Sequence, residues 1–230
     1  MNQISKRLQT AIGMFDKCDT VADIGCDHGY LSIELLEQGV CNRAICSDVN
    51  KGPLENAKEH MQSAGLIDRC DLRLGDGLEK VAAGEADAIA ILGMGGILMK
   101  NIIQAGMGVA TSVGQLIVSP QSEIPEFRMF LAQSGFEFLD EEVVFDMGKY
   151  YFLIKCRYTG EKGSLDAAKA YIGPVNYAKY VSAIEQKVGP LYNYLMFRKN
   201  ILEGILEKTR GTARGIEVEK ELTLIESLLG

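Results

Sequence analysis

The 230-residue chain has no tryptophan, five prolines and only two histidines. His28 and His60 lie far apart, and no two of the six cysteines are spaced Cys-x-x-Cys, so a zinc site has little to draw on. Cys18, Cys26, Cys41, Cys46, Cys70 and Cys156 read as small buried hydrophobes of a reducing compartment. No apolar run nears the ~18 residues of a membrane span. The richest stretch, 86–99, is broken by Asp87, Gly93, Gly95 and Gly96. The opening Met1-Asn2-Gln3-Ile4-Ser5-Lys6-Arg7 has no apolar block of the kind a secretory signal carries. A cytoplasmic protein with neither membrane nor metal partner is expected. Positive charge is short as well, with 24 Lys and Arg against 31 Asp and Glu. Residues 1–160 carry a net −8 and residues 161–230 a net +1, giving the overall −7. Bulk attraction to nucleic acid is thereby excluded, and any RNA partner must meet a local basic surface, best sought in the C-terminal part.

What is present is a globular composition, 47% hydrophobic and 24% charged. Residues 20–25, 43–48, 71–74, 86–92 and 115–119 have strand length and alternate with helical patterns. These are Leu31, Leu35 and Leu36; then Leu54, Ala57, Met61 and Ala64; then Ile124, Phe127, Phe130 and Leu131. Such alternation predicts a parallel sheet covered on both faces, because parallel neighbours need crossover helices. Residues 136–145 and 149–157 then read as a hairpin joined by Asp146-Met147-Gly148. An antiparallel pair closing a parallel sheet is the arrangement of the seven-stranded methyltransferase sheet, which ordinary dinucleotide-binding folds lack. From Gly163 onward only helical spacing remains. Ala168, Tyr171, Ile172, Val175, Ala178 and Val181 are followed by a near-heptad Leu191, Leu195, Arg198, Leu202, Ile205 and Thr209, and then by Ile216, Leu222, Ile225 and Leu229. Gly173-Pro174 must break or bend the first of these. Helices this short should pair as an antiparallel coiled hairpin or small bundle.

Carboxylates at strand ends mark the chemistry. Asp23 ends the first strand before a glycine turn, where it can accept from an amino group, and Gly25 and Gly29 allow close backbone approach. Asp48 ends the second strand, a position that suits a ribose diol. Asp76, in Leu74-Gly-Asp-Gly77, ends the third and could accept from an adenine amine, or serve only as a turn residue. Gly93-Met-Gly-Gly96 ends the fourth, leaving room for a flat base or a methyl donor. The first glycine loop alone is equally compatible with a plain turn, whereas Gly93-Met-Gly-Gly96 favours a ligand over a turn that simply needs positive φ; together these residues favour a nucleoside cofactor.

Asp23-Ile-Gly-Cys-Asp-His-Gly-Tyr-Leu31, Ser47-Asp-Val-Asn50, Gly75-Asp-Gly-Leu78 and Ile91-Leu-Gly-Met-Gly-Gly96 resemble the bacterial tRNA (adenine(22)-N1)-methyltransferases. The opening Ile4-Ser-Lys-Arg-Leu8 and the helical tail share the likeness. The resemblance implies a class I, Rossmann-like seven-stranded α/β catalytic domain over residues 1–160. It also implies a small all-helical coiled-coil domain over 161–230 that contacts tRNA, and S-adenosyl-L-methionine as cofactor. By that likeness Asp23, Gly25, Cys26, Asp27, His28, Gly29 and Tyr30 form the first cofactor loop. Asp48, Val49 and Asn50 hold the ribose and flank the adenine, and Asp76 with Gly77 meets the adenine edge. Gly93, Met94 and Gly95 sit beside the methionine moiety and the incoming base. The Asn/Asp-Pro-Pro-Tyr loop of amino-directed methyltransferases is replaced by Gly-Met-Gly-Gly, which fits a ring-nitrogen target better than an exocyclic amine.

The adenine N1 lone pair needs no prior deprotonation, so alignment, worth up to ~7–11 kcal/mol, should dominate over general-base chemistry. Asp27 and His28 are candidates to face the target base and Tyr30 to stack on it, with Gln121 a further pocket candidate; a loop imidazole bonded to backbone is the bland reading of His28. N1 lies on the Watson–Crick edge, so the base must be unpaired or extruded. Lys6, Arg7, Arg198, Lys199, Lys208, Arg210 and Arg214 are basic candidates for RNA contact, although charged residues more often form solvated helix faces. A methyltransferase acting on a small molecule or protein, a non-catalytic RNA-binding protein and an NAD-dependent enzyme are the alternatives, and the oligomeric state stays open, a monomer being sufficient.

Overall fold

The apolar segments form five parallel strands: β1 (Thr20–Ile24), β2 (Arg43–Asp48), β3 (Cys70–Leu74), β4 (Ala88–Leu92) and β5 (Gln115–Ser119). The hairpin adds β6 (Phe136–Asp146) and β7 (Lys149–Tyr158), antiparallel to each other, with β7 antiparallel to β5. The order across the sheet is β3-β2-β1-β4-β5-β7-β6. Chain connections therefore reverse direction between β1 and β4, and ligands of open α/β sheets bind at such a point. This is the Rossmann-like seven-stranded methyltransferase sheet. The computed structural model describes residues 4–230; Met1, Asn2 and Gln3 of the opening segment lie outside the described residues. The chain divides into two units, one ending at Ser164 and the other spanning Leu165–Gly230.

Strand period sorts the core. On one face Ala22, Ile45, Ile89, Ile91, Leu116 and Val118 pack with Met99 and Ile103 of α4 (Gly96–Ala105) and Phe127 and Leu131 of α6 (Ile124–Ser134). On the other, Val21, Ala44, Cys46, Ala88, Ala90 and Ile117 pack with residues of three helices. These are Ala11 and Ile12 of α1 (Lys6–Gly13), Leu31 and Leu35 of α2 (Tyr30–Glu37), and Ala57 and Met61 of α3 (Lys51–Ser63). A short α5 (Met107–Ala110) leads into β5. Beneath the hairpin lies an ion pair with no solvent exposure, Arg128 Nε donating to Glu141 Oε1 at 2.8 Å, its guanidinium 4.8 Å over the Phe152 ring.

The hairpin turn is tighter than expected. Asp146 pairs with Lys149, so only Met147 and Gly148 turn the chain, with φ of 47° and 80°. Positive φ at both central residues is the demand of a type I′ turn, whose twist matches the strands it joins. The hairpin also holds the start of the chain. Asp146 accepts from the Arg7 backbone N–H at 3.1 Å, and Lys155 Nζ bonds Asp16 just after α1 at 2.7 Å. Helix α1 is itself capped by Ser5, whose hydroxyl accepts from the Leu8 amide.

In the second unit, α7 (Ala167–Ile172) and α8 (Pro174–Glu185) are separated at Gly173, as the Gly-Pro step requires. They are followed by α9 (Pro190–Thr209) and α10 (Ala213–Leu229), which pack together. Thr209 lies beside Gly215 at the turn while Lys199 pairs with Glu226 at 3.0 Å, so the two run antiparallel. Leu191, Leu195 and Leu202 are buried on α9, and Val218, Leu222 and Ile225 on α10. Ile216 is exposed, Val218 taking the inward place instead. Among the described residues no helix is long and apolar enough to cross a membrane.

Candidate functional site

The C-terminal ends of β1 to β4 open into one cleft of about 590 Å³ in the first unit. Asp23, Asp48 and Asp76, the three strand-end carboxylates, all line it, with Gly25, Cys26, Val49, Asn50, Gly77, Gly93 and Met94. Asp27, His28 and Tyr30 line it as well. Gly29 and Gly95 are not among the lining residues. Gly29 (φ 73°) opens α2 and backs onto α3, where an added Cβ would come within 3.2 Å of Ala57. Gly95 opens α4 and faces Ser122 and Glu123. Both shape their loops from behind.

Asp23 is 4% exposed and accepts from Ser32 Oγ at 2.9 Å. Burial pushes its carboxyl from an ordinary 3.8 up to about 6; the Ser32 hydroxyl opposes this, while Asp48 and Asp27 reinforce it. An anion kept in this position has lost most of its water and gained one hydroxyl. It is poised for a cation. Asp48 uses Oδ1 to accept from the Asn50 amide at 2.9 Å, which fixes the loop and leaves Oδ2 without a donor among the described residues. The first loop is tied down by Gly25 and Cys26 amides donating to the Ser47 carbonyl at 2.8 and 3.1 Å. Gly25 (φ 71°) could not be another residue without strain, and a Cβ there would collide with the Met94 side chain. The loops after β1 and β4 thus touch across the cleft.

Asp27 holds a left-handed φ of 50°, rare outside glycine, and its carboxylate is 3.6 Å from His28 Nε2. Tyr30 stacks on His60, with centroids 5.0 Å apart and planes within 20°, and His28 lies 5.6 Å from Tyr30 and 5.7 Å from His60. His60 Nδ1 is 2.9 Å from the His28 carbonyl. The two histidines, distant in sequence, therefore meet beside the cleft. Among the described residues no three His, Cys, Asp or Glu side chains gather as metal ligands. His28 Nδ1 is a buried atom without a hydrogen-bond partner among the described residues, so no backbone bond to that nitrogen is found there.

Sequence reasoning missed the apolar wall from α4, Leu98 and Ile102, and the position of Arg7, which lines the cleft beside Gln121. Nothing in their local sequence marks Leu98 and Ile102 as cleft residues, and nothing local announces that Arg7 reaches this edge.

The donor set fits the cofactor that the resemblance implies. The lining offers three strand-end carboxylates, which accept hydrogen bonds from amines and hydroxyls, and an apolar wall of Leu98 and Ile102, against which a flat ring can pack. Comparison with known proteins agrees. A family described as "Methyltransferase domain" matches residues 4–154. The tRNA (adenine(22)-N(1))-methyltransferase of Bacillus subtilis (strain 168) is 36% identical over 166 residues, covering 72% of this chain and 68% of that protein. Streptococcus pneumoniae Sp1610, solved in complex with S-adenosyl-L-methionine, superposes with a TM-score of 0.85 at 27% identity, over 99% of this chain and all (100%) of that one. The crystal structure of the B. subtilis m1A22 tRNA methyltransferase gives a TM-score of 0.79 at 26% identity, with both chains fully covered (100%). Sheet order, cleft and relatives lead to one assignment: the chain belongs to the methyltransferase-domain family and, within it, to the tRNA (adenine(22)-N(1))-methyltransferases.

Proposed function

We propose that the protein transfers a methyl group from S-adenosyl-L-methionine to N1 of adenine 22 in tRNA, in the cytoplasm. The observation that carries this is the convergence of Asp23, Asp48 and Asp76 in one cleft at the point where the sheet reverses. Asp23 takes the cofactor's ammonium, Asp48 Oδ2 the ribose, and Asp76 the adenine edge, with Leu98 and Ile102 against the ring. Val49, Asn50, Gly77, Gly93 and Met94 complete this lining, with Gly25 and Cys26 in the first loop.

When bound, the cofactor would supply an electrophilic methyl on sulfonium, which the free in-plane N1 lone pair of adenine would take up without prior deprotonation as the carbon–sulfur bond breaks and S-adenosylhomocysteine leaves as a neutral thioether. The residues of the chain have only to align and select. Asp27 and His28 face the target base, where a carboxylate stabilises the positive charge that methylation leaves on the ring. Tyr30, half exposed and braced by His60, offers a flat surface for stacking an extruded base.

RNA contact falls to local basic residues, because the chain is acidic overall. On the tail, Arg198 pairs with Glu221, Lys199 with Glu226 and Arg214 with Glu217. Lys208 and Arg210 engage no carboxylate among the described residues, so they are the tail positions we assign to phosphate. The experiment is mass spectrometry of tRNA nucleosides, and of nuclease-generated oligonucleotide fragments to locate the methyl group, after incubation with protein and cofactor. New N1-methyladenosine mapped to position 22 is expected; unmethylated tRNA, or methylation elsewhere, refutes the reading.

A further inference from the structure

The cleft carries an unbalanced set of charges. Four carboxylates line it, Asp23, Asp27, Asp48 and Asp76, and Arg7 is the one permanently charged cation among the described lining residues. Its backbone N–H is fixed by Asp146, and its guanidinium lies 4.8 Å over the Tyr151 ring. That ring orients the fork without offering it an acceptor, and no carboxylate or carbonyl among the described residues accepts from it. The free fork reaches the end of β4, where Nη1 would stand 3.7 Å from a Cβ placed on Gly93. Strand β4 neighbours β1, whose Asp23 is the buried anion of the site.

The ligand proposed for this cleft has two cationic centres, sulfonium and ammonium, and a single anion, the α-carboxylate. Its cations match the aspartates. The carboxylate, one bond from the carbon bearing the ammonium, would otherwise enter a field of four negative charges. We propose that Arg7 binds this carboxylate, so that Asp23 on β1 and the Arg7 fork, reaching from α1 to the end of β4, grip the two charges of the amino-acid end. The planar fork matches a carboxylate with two parallel hydrogen bonds, and its orientation by Tyr151 lowers the entropy of forming them. Arg7 is thus a cofactor-positioning residue and not an RNA contact.

This assignment rests on the proposed function, and the experiment separates the two. Calorimetry would compare S-adenosylhomocysteine with its decarboxylated thioether, using wild-type protein, Arg7→Met and Arg7→Lys. Arg7→Met keeps an unbranched stem over Tyr151 while removing the charge. It should weaken S-adenosylhomocysteine about 10- to 100-fold and leave the decarboxylated compound bound as in wild type. Arg7→Lys, which keeps the charge but loses the fork, should fall between. Equal weakening of both compounds by Arg7→Met overturns the proposal. So does unchanged S-adenosylhomocysteine affinity with a raised KM for tRNA, which would give the guanidinium to an RNA phosphate. A wild-type protein that binds neither compound removes the proposed function and this assignment together.

Discussion

Replacing Asp23 by Asn should make the ligand-free protein more stable and the cofactor complex weaker. The carboxyl is 4% exposed and shifted from 3.8 up to about 6, so keeping it ionised at neutral pH costs about 3 kcal/mol. The sign follows from the folded group holding its proton more tightly than the unfolded one. The cost is absent below pH 4, grows as pH rises through the interval up to 6, and is fully present above it. Asparagine removes the charge and keeps an oxygen for the Ser32 hydroxyl. The melting temperature at pH 7.5 should therefore rise, by roughly 2–4 °C per kcal/mol recovered. Loss of a charge-assisted bond to an ammonium should cost about 1.5–3 kcal/mol of cofactor affinity, roughly 10- to 150-fold. Wild-type affinity should also fall about tenfold for each pH unit below 6 as Asp23 takes up its proton, while the variant stays flat from pH 5 to 8. Scanning calorimetry without ligand and titration calorimetry with S-adenosylhomocysteine read the two effects. A variant less stable than wild type, or one keeping wild-type affinity and pH slope, would refute the argument.

Asp48→Ala should weaken S-adenosylhomocysteine by about 1–3 kcal/mol by calorimetry, because the ribose loses a charged acceptor. His28→Ala should lower single-turnover methylation of tRNA far more than cofactor affinity, and equal losses in both would place the ring with the cofactor. Removing residues 165–230 should spare cofactor binding and impair tRNA methylation, measured as a rise in KM for tRNA. Arg128→Met should destabilise the first unit by about 3–5 kcal/mol in urea unfolding, because it leaves Glu141 charged, buried and without this partner.

The strand-helix alternation, the closing hairpin and the three carboxylates were legible because each rests on a local rule: strand length, helical period, or an acid at a strand end before glycine. Helix α4 was not. Gly95 and Gly96 open it and Gly106 ends it, so the apolar run from β4 passes into it without a polar boundary. Its Leu98 and Ile102 consequently gave no sign that they wall the cleft. The positions of Arg7 and His60 were invisible for a different reason. Arg7 is set by Asp146, 139 residues away, and His60 by a carbonyl 32 residues away. No window of sequence contains such pairs. The turn was placed within one residue, since Met147-Gly148 advertises positive φ less plainly than Asn-Gly would.

The hold of the last two strands on the first helix has a consequence for biosynthesis. Asp146 and Lys155, which secure Arg7 and Asp16, are translated long after the segment they secure. The front edge of the cleft must wait for them, so a nascent chain stalled before Lys155 would carry the carboxylates of the site without the means to close it. Contacts this remote along the chain also delay closure after denaturation, because loop entropy must be overcome before any of them forms. Competence to hold a ligand would therefore emerge late and all at once, when the hairpin arrives to fasten the beginning of the chain.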